Sequence, residues 1–323
     1  MHKHLLLSLS ALLAFSLCAA GCCKNSGVAE NQSSTPKNAF TPHCQFLRVG
    51  EIEAVIGDGA GFRTRPGVWS LSSIHRPFNI FKTMGSGILC GELRGRSSTV
   101  LEYVDDTTCV LKVASDEHRA AQARALFRAV SPYYIDHELT VRDTKDRLAG
   151  EPFDFRSVGY CCYTNSPDDL RIHYLSGGQW VRYAPPEHGA PHSAIAPGYL
   201  PEEKLEVWPA LDDPPFWWKE RYPKPFDEPF YYGRFGDMVM ILIFDKPEWI
   251  RFFLSPSGGG ESLIPGSTST AWDFEWIIPK EEYEPNREYT FRMRLVYKKY
   301  EGDDDVLREV RKAQDELGFE KVN

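Results

Sequence analysis

The chain has 323 residues, of which 42% are hydrophobic and 25% are charged, a balance that is typical of a globular protein and excludes a disordered or fibrous one. Lys and Arg total 37 against 45 Asp and Glu, so the net charge is −8 at pH 7 and the pI is near 5.7. Because a surface of this sign is unsuited to neutralising phosphates, we expect no nucleic-acid partner. The length suits one large β domain or two smaller domains.

The first twenty residues have the pattern of an export signal. Residues 1–4 carry Lys3 as a positive charge, and residues 5–20 are apolar apart from serines. This apolar run has the length of a signal h-region and is too short to span a membrane. We therefore predict a signal peptide over residues 1–21 and export of the mature chain.

The signal ends in Leu-Cys-Ala-Ala-Gly-Cys at residues 17–22, which resembles the lipobox of bacterial lipoproteins, with Ala19 where that family usually has Leu. The resemblance implies that Cys22 is lipidated and becomes the mature N-terminus. It also implies a membrane-anchored lipoprotein of the bacterial cell envelope, facing the periplasm or the cell surface. The alternative is an ordinary signal peptide cut after Ala20 or Gly21. Since the mature chain is acidic, the acyl chains are the only membrane contact we expect.

A polar segment separates the signal from the folded part. Residues 22–43 are rich in Asn, Ser, Thr and Pro and hold too few apolar residues to form a core, so we predict a flexible tether. From residue 44 to residue 323 we find neither an internal repeat nor a clear linker. These residues are therefore predicted to form a single domain.

Cysteine usage agrees with export. Six cysteines remain after the signal and the lipid site, and an oxidising compartment favours disulfides among them, with Cys90 and Cys109 across a hairpin as the pairing we favour. In a strand, the adjacent Cys161 and Cys162 point to opposite faces and cannot bond to each other. No metal site is expected, because the chain has no C-x-x-C or H-x-x-H spacing.

Most of the chain alternates apolar and polar residues, which is the pattern of half-buried strands. Residues 124–142 alternate for long enough to form one strand kinked at Pro132, with a short helix at residues 119–125 as the alternative for its start. Residues 238–244 are continuously apolar and are predicted to be a strand buried on both faces. Further strands are predicted at residues 51–56, 98–104, 107–113, 153–163, 170–175, 249–254, 271–278 and 288–298.

One helix is predicted, at residues 303–317. Three consecutive Asp residues supply its N-cap and first-turn charges, and Gly318 can end it. The sequence therefore predicts a mainly β protein, a large antiparallel β-sandwich with a short C-terminal helix.

Aromatic side chains indicate a saccharide ligand. Trp217 and Trp218 lie in the Pro-braced segment 214–225 beside Arg221. Indole presents an apolar surface to the C–H faces of sugar rings, while nearby carboxylates and arginines bind the hydroxyls. The alternative is a loop that buries both Trp residues against a sheet edge. The candidate ligand-binding residues are Trp217, Trp218, Arg221, His75, Arg171 and Arg234.

Three histidines and two acids are candidates for catalysis. His137, His173 and His188 lie in or near strands, and histidine titrates close to neutral pH, so a cluster of them could supply an acid and a base. In Trp-Asp-Phe-Glu-Trp at residues 272–276, the aromatic side chains take one face of a strand, and Asp273 and Glu275 take the other. This arrangement could place two acids on one sheet surface. The alternatives are structural histidines and a solvated strand face.

Several segments carry a resemblance to known families. RPGVWSLSSIHRPFNIF at residues 65–81, SPYYIDHELTVRD at residues 131–143 and AWDFEWIIP at residues 271–279 resemble a family of exported bacterial proteins without a characterised activity. The strand order and residues 131–143 also resemble galactose-mutarotase-like super-sandwich proteins, which include aldose epimerases, sugar-binding domains and polysaccharide lyases. This implies a concave β face that handles a carbohydrate. The base Glu and the two His of the epimerases have no matching motif here, so no catalytic residue is transferred.

Three functional hypotheses follow. The first is a saccharide-binding lipoprotein, and the second is an enzyme on sugars of the epimerase, lyase or glycosidase type. The third is a structural or interaction module of the cell envelope. The expected partner in the first two is a carbohydrate or polysaccharide, and no cofactor is expected. Convergence of the histidines with an acid favours the enzyme, whereas separated histidines favour binding.

Overall fold

The computed structural model describes residues 42–60, 65–81, 87–93, 99–116, 120–150, 154–165, 167–187, 190–201, 221–255 and 269–322. These residues belong to one contact unit, Lys37–Asn323. The predicted signal peptide, the lipidation site at Cys22 and residues 22–41 of the predicted tether lie outside the described residues.

The described residues form two antiparallel sheets and one α-helix. The strands are β1 Cys44–Val49, β2 Ile52–Gly57, β3 Gly67–Ser73, β4 Ile88–Cys90, β5 Val100–Asp105, β6 Thr108–Val113, β7 Ala121–Val130, β8 Tyr134–Asp143, β9 Phe155–Thr164, β10 Ile172–Ser176, β11 Gln179–Tyr183, β12 Ala194–Ile195, β13 Phe230–Phe235, β14 Met238–Phe244, β15 Ile250–Ser255, β16 Thr270–Pro279 and β17 Glu288–Lys299. A short 3-10 turn at Gly91–Leu93 follows β4, and helix α1 spans Asp303–Leu317.

The sheets have eight and nine strands. Sheet A has the order β1-β2-β3-β4-β9-β16-β15-β12, and sheet B has the order β11-β10-β13-β14-β17-β8-β7-β6-β5. Their inner faces share one hydrophobic core, with Phe274 of sheet A and Phe244 of sheet B in ring contact at 4.7 Å between centroids. The mainly β, antiparallel sandwich with a short C-terminal helix is therefore confirmed.

Helix α1 explains why β14 is apolar throughout. Val306 and Val310 of α1 pack on Val239 and Ile241, which point outward from sheet B, while Met240 lies in the core between the sheets. Every residue of β14 is buried, as the continuous apolar run predicts. The helix has the predicted bounds, with acidic residues in its first turn and a left-handed Gly318 after its end. The prediction that an Asp supplies the N-cap is wrong, because Gly302 occupies that position and makes no side-chain cap.

The prediction of one kinked strand at residues 124–142 is wrong, as is the alternative of a helix at residues 119–125. The segment forms the antiparallel hairpin of β7 and β8, which pair from Ala121 with Asp143 to Val130 with Tyr134. The chain reverses direction at residues 131–133, and the carbonyl of Pro132 accepts a 2.7 Å hydrogen bond from the Glu51 amide. Because both arms alternate with period two, alternation alone does not reveal the reversal.

The predicted Cys90–Cys109 disulfide is also wrong. Both residues are free thiols that lie in different sheets, Cys90 on β4 and Cys109 on β6, and therefore do not face each other across a hairpin. Burial raises the pKa of each thiol to about 12, which keeps it protonated. Cys161 and Cys162 point to opposite faces of sheet A as predicted, with Cys162 sealed in the core.

Gly233 is packed against the largest side chain of the core. A Cβ at Gly233 would lie 2.0 Å from Cη2 of Trp272, so Gly233→Ala is expected to lower the free energy of unfolding by about 1–3 kcal/mol through overpacking. Gly198→Ala is the matched control, since its Cβ would lie 3.2 Å from the nearest atom, in the ring of Pro225. Denaturant unfolding measures both, and equal losses would contradict the packing argument.

Candidate functional site

The outward-facing side chains of sheet A combine aromatic, acidic and basic groups on neighbouring strands. In β16, Trp272, Phe274 and Trp276 fill the core, so Asp273 and Glu275 point to the outer face, as the alternation predicts. We call this surface the outer face of sheet A. Its members used below are Trp69, Ser157, Cys161, Tyr163, Arg251, Asp273 and Glu275.

Both carboxylates are oriented by the neighbouring strand β9. Oδ1 of Asp273 accepts a hydrogen bond from the Cys162 amide at 2.7 Å. Oε1 of Glu275 accepts a hydrogen bond from the Ser157 hydroxyl. Glu275 lies across Gly159, where an added Cβ would come within 2.9 Å of Oε1. The two acids are therefore held in place as half-buried groups.

An aromatic patch lies on the β3 side of these acids. Trp69 lies over Gly57, where an added Cβ would come within 2.2 Å of Cζ2, and its Nε1 donates to the Arg65 carbonyl at 2.7 Å. Nη1 of Arg65 donates to the Tyr163 hydroxyl at 3.2 Å. Tyr163 packs with Leu89 and Ala271, with Trp69 and Cys161 at the edge of this cluster. Trp69 is half-buried and Tyr163 is 6% exposed, so Trp69 supplies most of the accessible aromatic surface beside the carboxylates.

A guanidinium group lies on the opposite side of the acids. In the pairing of β15 with β16, Arg251 is directly opposite Glu275. Its Nη1 donates to the carbonyls of Glu248 and Ile250, at 3.1 and 2.8 Å. Burial lowers the pKa of Arg251 to about 10, so the group remains charged at neutral pH.

Arg221, a predicted ligand-binding residue, lies at this edge of sheet A. It forms an isolated bridge with Ala194 of β12, and its carbonyl accepts from Nδ1 of His192 at 2.9 Å. Its positive charge acts on Arg251 and contributes to the lowered pKa of that residue. The structure thus places Asp273, Glu275 and Arg221 on or beside the outer face of sheet A.

His137, a predicted catalytic residue, is sealed between the sheets instead. Its Nδ1 donates to the Leu126 carbonyl at 2.8 Å, its Nε2 accepts from the Tyr160 hydroxyl at 2.6 Å, and its ring stacks on Phe127. Burial lowers the pKa of His137 to about 4, so the ring is neutral at pH 7. This geometry makes His137 part of the core.

Three other predicted residues lie on the sheet B side of the sandwich. His173 makes a tilted ring contact with Tyr232 on the outer surface of sheet B, and burial, together with the charge of Arg182, lowers its pKa to about 4. Arg234 covers the ring of Tyr300 at 3.8 Å on the same surface. Arg171, just before β10, is exposed and forms an ion pair with Asp169 at 2.6 Å. These residues do not meet Asp273 and Glu275.

Of the remaining predicted residues, one lies away from this face and three lie outside the residues that the structure describes. His75 lies in the turn after β3, and its Nε2 is 3.3 Å from the Glu51 carboxylate. His188, Trp217 and Trp218 lie outside the described residues.

Sequence reasoning missed Trp69, Tyr163 and Arg251 as members of this face. The alternation in β9 and β15 marks the outward positions of Tyr163 and Arg251, whereas Trp69 faces outward because the pairing of β2 with β3 shifts register beside it. The proximity of the three residues depends on the order of the strands in sheet A. Two signals in the sequence were available: Gly57 and Gly159 are glycines inside strands, which often mark the close approach of another group.

The described ranges contain neither a metal-binding cluster nor a membrane-spanning helix. Within them, no group of three or more His, Cys, Asp or Glu side chains is placed to hold a metal ion. The only α-helix of the described chain, α1, is too short and too polar to cross a membrane.

Comparison with known proteins gives similar folds and no family. No model of a protein family matches the chain, and no curated protein matches it. A candidate aldose 1-epimerase from Escherichia coli K12 is 10% identical, with a TM-score of 0.45 and 80% of this chain and 99% of that chain covered. An aldose epimerase homologue from C. elegans is 8% identical, with a TM-score of 0.42 and coverage of 79% and 99%.

A third similar structure is much longer. The heparan sulfate lyase from Pedobacter heparinus is 6% identical, with a TM-score of 0.42, and the match covers 81% of this chain and 36% of the lyase. Similarity at this level of identity concerns the β-sandwich architecture alone.

Proposed function

We propose that the outer face of sheet A binds a saccharide. The observation that carries the proposal is the arrangement of Trp69 and Tyr163, Asp273 and Glu275, and Arg251 on neighbouring strands of one sheet surface. A sugar ring has apolar C–H faces that pack on aromatic rings and hydroxyls that donate to carboxylates. The names of the similar solved structures agree with a sugar ligand, but the proposal rests on these side chains.

Binding is favoured over catalysis by the placement of the histidines. His137 is enclosed in the core and His173 lies on the outer surface of the other sheet, so neither is on the same face as Asp273 and Glu275. The two acids are neighbours on one strand face, with Cα atoms about 6.5–7 Å apart, and a glycosidase needs two carboxyl groups on the same surface. Hydrolysis by this pair is therefore the second candidate function, and product analysis of bound oligosaccharides tests it.

The binding experiment combines a glycan panel with variants of the two acids. Once a ligand is found, Asp273→Asn and Glu275→Gln are each expected to weaken binding by about tenfold, because a hydrogen bond to a charged group is worth about 1.5–3 kcal/mol. Isothermal titration measures the affinities. Glu138→Gln, on the outer surface of sheet B, is the matched control and is expected to leave affinity unchanged. No binding by any glycan at millimolar concentration would contradict the proposal.

We also propose that the protein is exported and anchored to a membrane by a lipid. The N-terminal pattern supports export and lipid anchoring at Cys22, which would present the saccharide face outside the cytoplasm. Radiolabelled palmitate is expected to label the full chain expressed in bacteria and not the Cys22→Ser variant. Equal labelling, or secretion of an unlipidated chain with residue 21 or 22 at its N-terminus, would contradict anchoring while leaving the saccharide site in place.

A further inference from the structure

Three arginines in the described ranges are almost completely buried, and only one of them lacks a counter-charge. Arg156, Arg251 and Arg294 are 4%, 3% and 2% exposed. Arg156 forms ion pairs with Glu92 and Asp143, and Arg294 forms ion pairs with Asp136 and Glu316. No described carboxylate forms an ion pair with Arg251, whose hydrogen bonds go to two carbonyls.

The guanidinium of Arg251 retains unused donors. Both hydrogen bonds of Arg251 come from Nη1. Nε and Nη2 have no acceptor among the described residues and are not among their sealed polar atoms. Burying an uncompensated charge is costly, and proteins usually pair it or bind it to a ligand. The two unused nitrogens are the donors with which an arginine forms a bidentate contact to an oxyanion.

The surroundings of Arg251 favour an anion. Arg221 adds a second positive charge that acts on Arg251, while Tyr199 and then Glu248 favour the charged form of Arg251. Burial raises the pKa of the Glu248 carboxyl. Arg251 lies on the same sheet face as Glu275, directly across the strand pair.

We propose that the saccharide bound by this face is acidic, and that Arg251 binds its carboxylate or sulfate group in a bidentate contact while Arg221 adds a second positive charge. This inference rests on the proposed function and specifies the class of ligand. Asp273 and Glu275 then bind the hydroxyls of the sugar, and the aromatic patch packs against its apolar face.

The test uses oligosaccharides that differ only in charge, titrated into the full chain. One pair is oligogalacturonate and its fully methyl-esterified form, and the other is a sulfated oligosaccharide and its desulfated form. The acidic member of at least one pair is expected to bind about tenfold or more tightly than the neutral member, since a charge-assisted contact is worth about 1.5–3 kcal/mol. The pair that shows the difference identifies the anionic group.

Arg251→Gln isolates the contribution of the guanidinium. The variant is expected to lose about tenfold or more affinity for the acidic ligand and to lose less affinity for the neutral partner. Arg251→Lys is expected to recover part of the affinity, because Lys keeps the charge but lacks the planar donor pair. Equal affinity for both members of each pair would overturn the inference and leave the proposed function standing, whereas no binding by any saccharide would overturn both.

Stability separates ligand recognition from a structural role. Because Arg251 has no counter-charge, Arg251→Gln is expected to unfold at the same or a higher temperature than the wild type. Arg294→Gln, which leaves two carboxylates without their partner, is the matched control and is expected to unfold at a lower temperature. Equal losses in the two variants would overturn the inference by showing that Arg251 is needed for folding.

Discussion

Replacing Asp143 with Asn is expected to lower the free energy of unfolding by about 1.5–3 kcal/mol, the worth of a hydrogen bond to a charged group. Asp143 accepts from Nε of Arg156 at 2.7 Å and from the Tyr283 hydroxyl at 3.2 Å, and Arg156 also pairs with Glu92 at 2.9 Å. Asp143 belongs to sheet B and Arg156 to sheet A, so this buried network connects the two sheets. Asn keeps the size of the side chain but leaves Glu92 as the only carboxylate that forms an ion pair with Arg156 among the described residues.

A surface ion pair is the control for this variant. Asp154 pairs with Lys280 at 3.4 Å, and both side chains are exposed, so Asp154→Asn is expected to cost less than about 1 kcal/mol. Denaturant unfolding at pH 7 gives the free energy for each variant. Similar losses in the two variants would show that the buried network does not contribute to holding the sheets together.

Lowering the pH from 7.5 to 4.5 is expected to remove about 3 kcal/mol of stability through His137. The pKa of this residue is about 4 in the folded chain and 6.5 in the unfolded chain. As the pH falls below 6.5, the unfolded chain binds the proton first, so the folded state loses stability until the pH approaches 4. The physical cause is the burial of the ring among Phe127, Tyr160 and the Leu126 carbonyl.

His137→Gln separates this effect from the other groups that titrate in acid. The variant is expected to be less stable than the wild type at pH 7.5, because it loses buried hydrogen bonds. Between pH 7.5 and 4.5, however, it is expected to lose about 3 kcal/mol less than the wild type does. Identical pH dependence in the two proteins would mean that the ring has the same pKa in the folded and unfolded chains, which contradicts the burial argument.

The strand pattern was the part of the structure most open to prediction. In β16 the alternation of Trp272 to Trp276 with Asp273 and Glu275 gave both the strand and its two faces, because one side of the strand is in the core. The same rule applied to His137, which shares a face with Ile135 and Leu139 and is buried with them. In a regular strand, the alternation of side chains therefore predicts which residues share a face. Apolar neighbours on that face indicate that it is buried.

Contacts between distant strands could not be predicted in the same way. Trp69 and Tyr163 belong to one cluster because the three-residue strand β4 lies between β3 and β9, and so short a strand has no period of its own. The reversal between β7 and β8 was missed because both arms alternate. Residues on different strands meet according to sheet order, which a single sequence does not encode locally.

The affinity of a bound saccharide for Trp69→Ala, compared with Trp180→Ala, tests the central claim most directly. Trp69 lies on the outer face of sheet A over Gly57, whereas Trp180 packs on Tyr232 on the outer surface of sheet B. Isothermal titration is expected to show a loss of about tenfold or more for Trp69→Ala, since removing a stacked aromatic costs roughly 1–3 kcal/mol, and no change for Trp180→Ala. Full affinity in Trp69→Ala together with a loss in Trp180→Ala would contradict the claim and place the ligand on the other sheet.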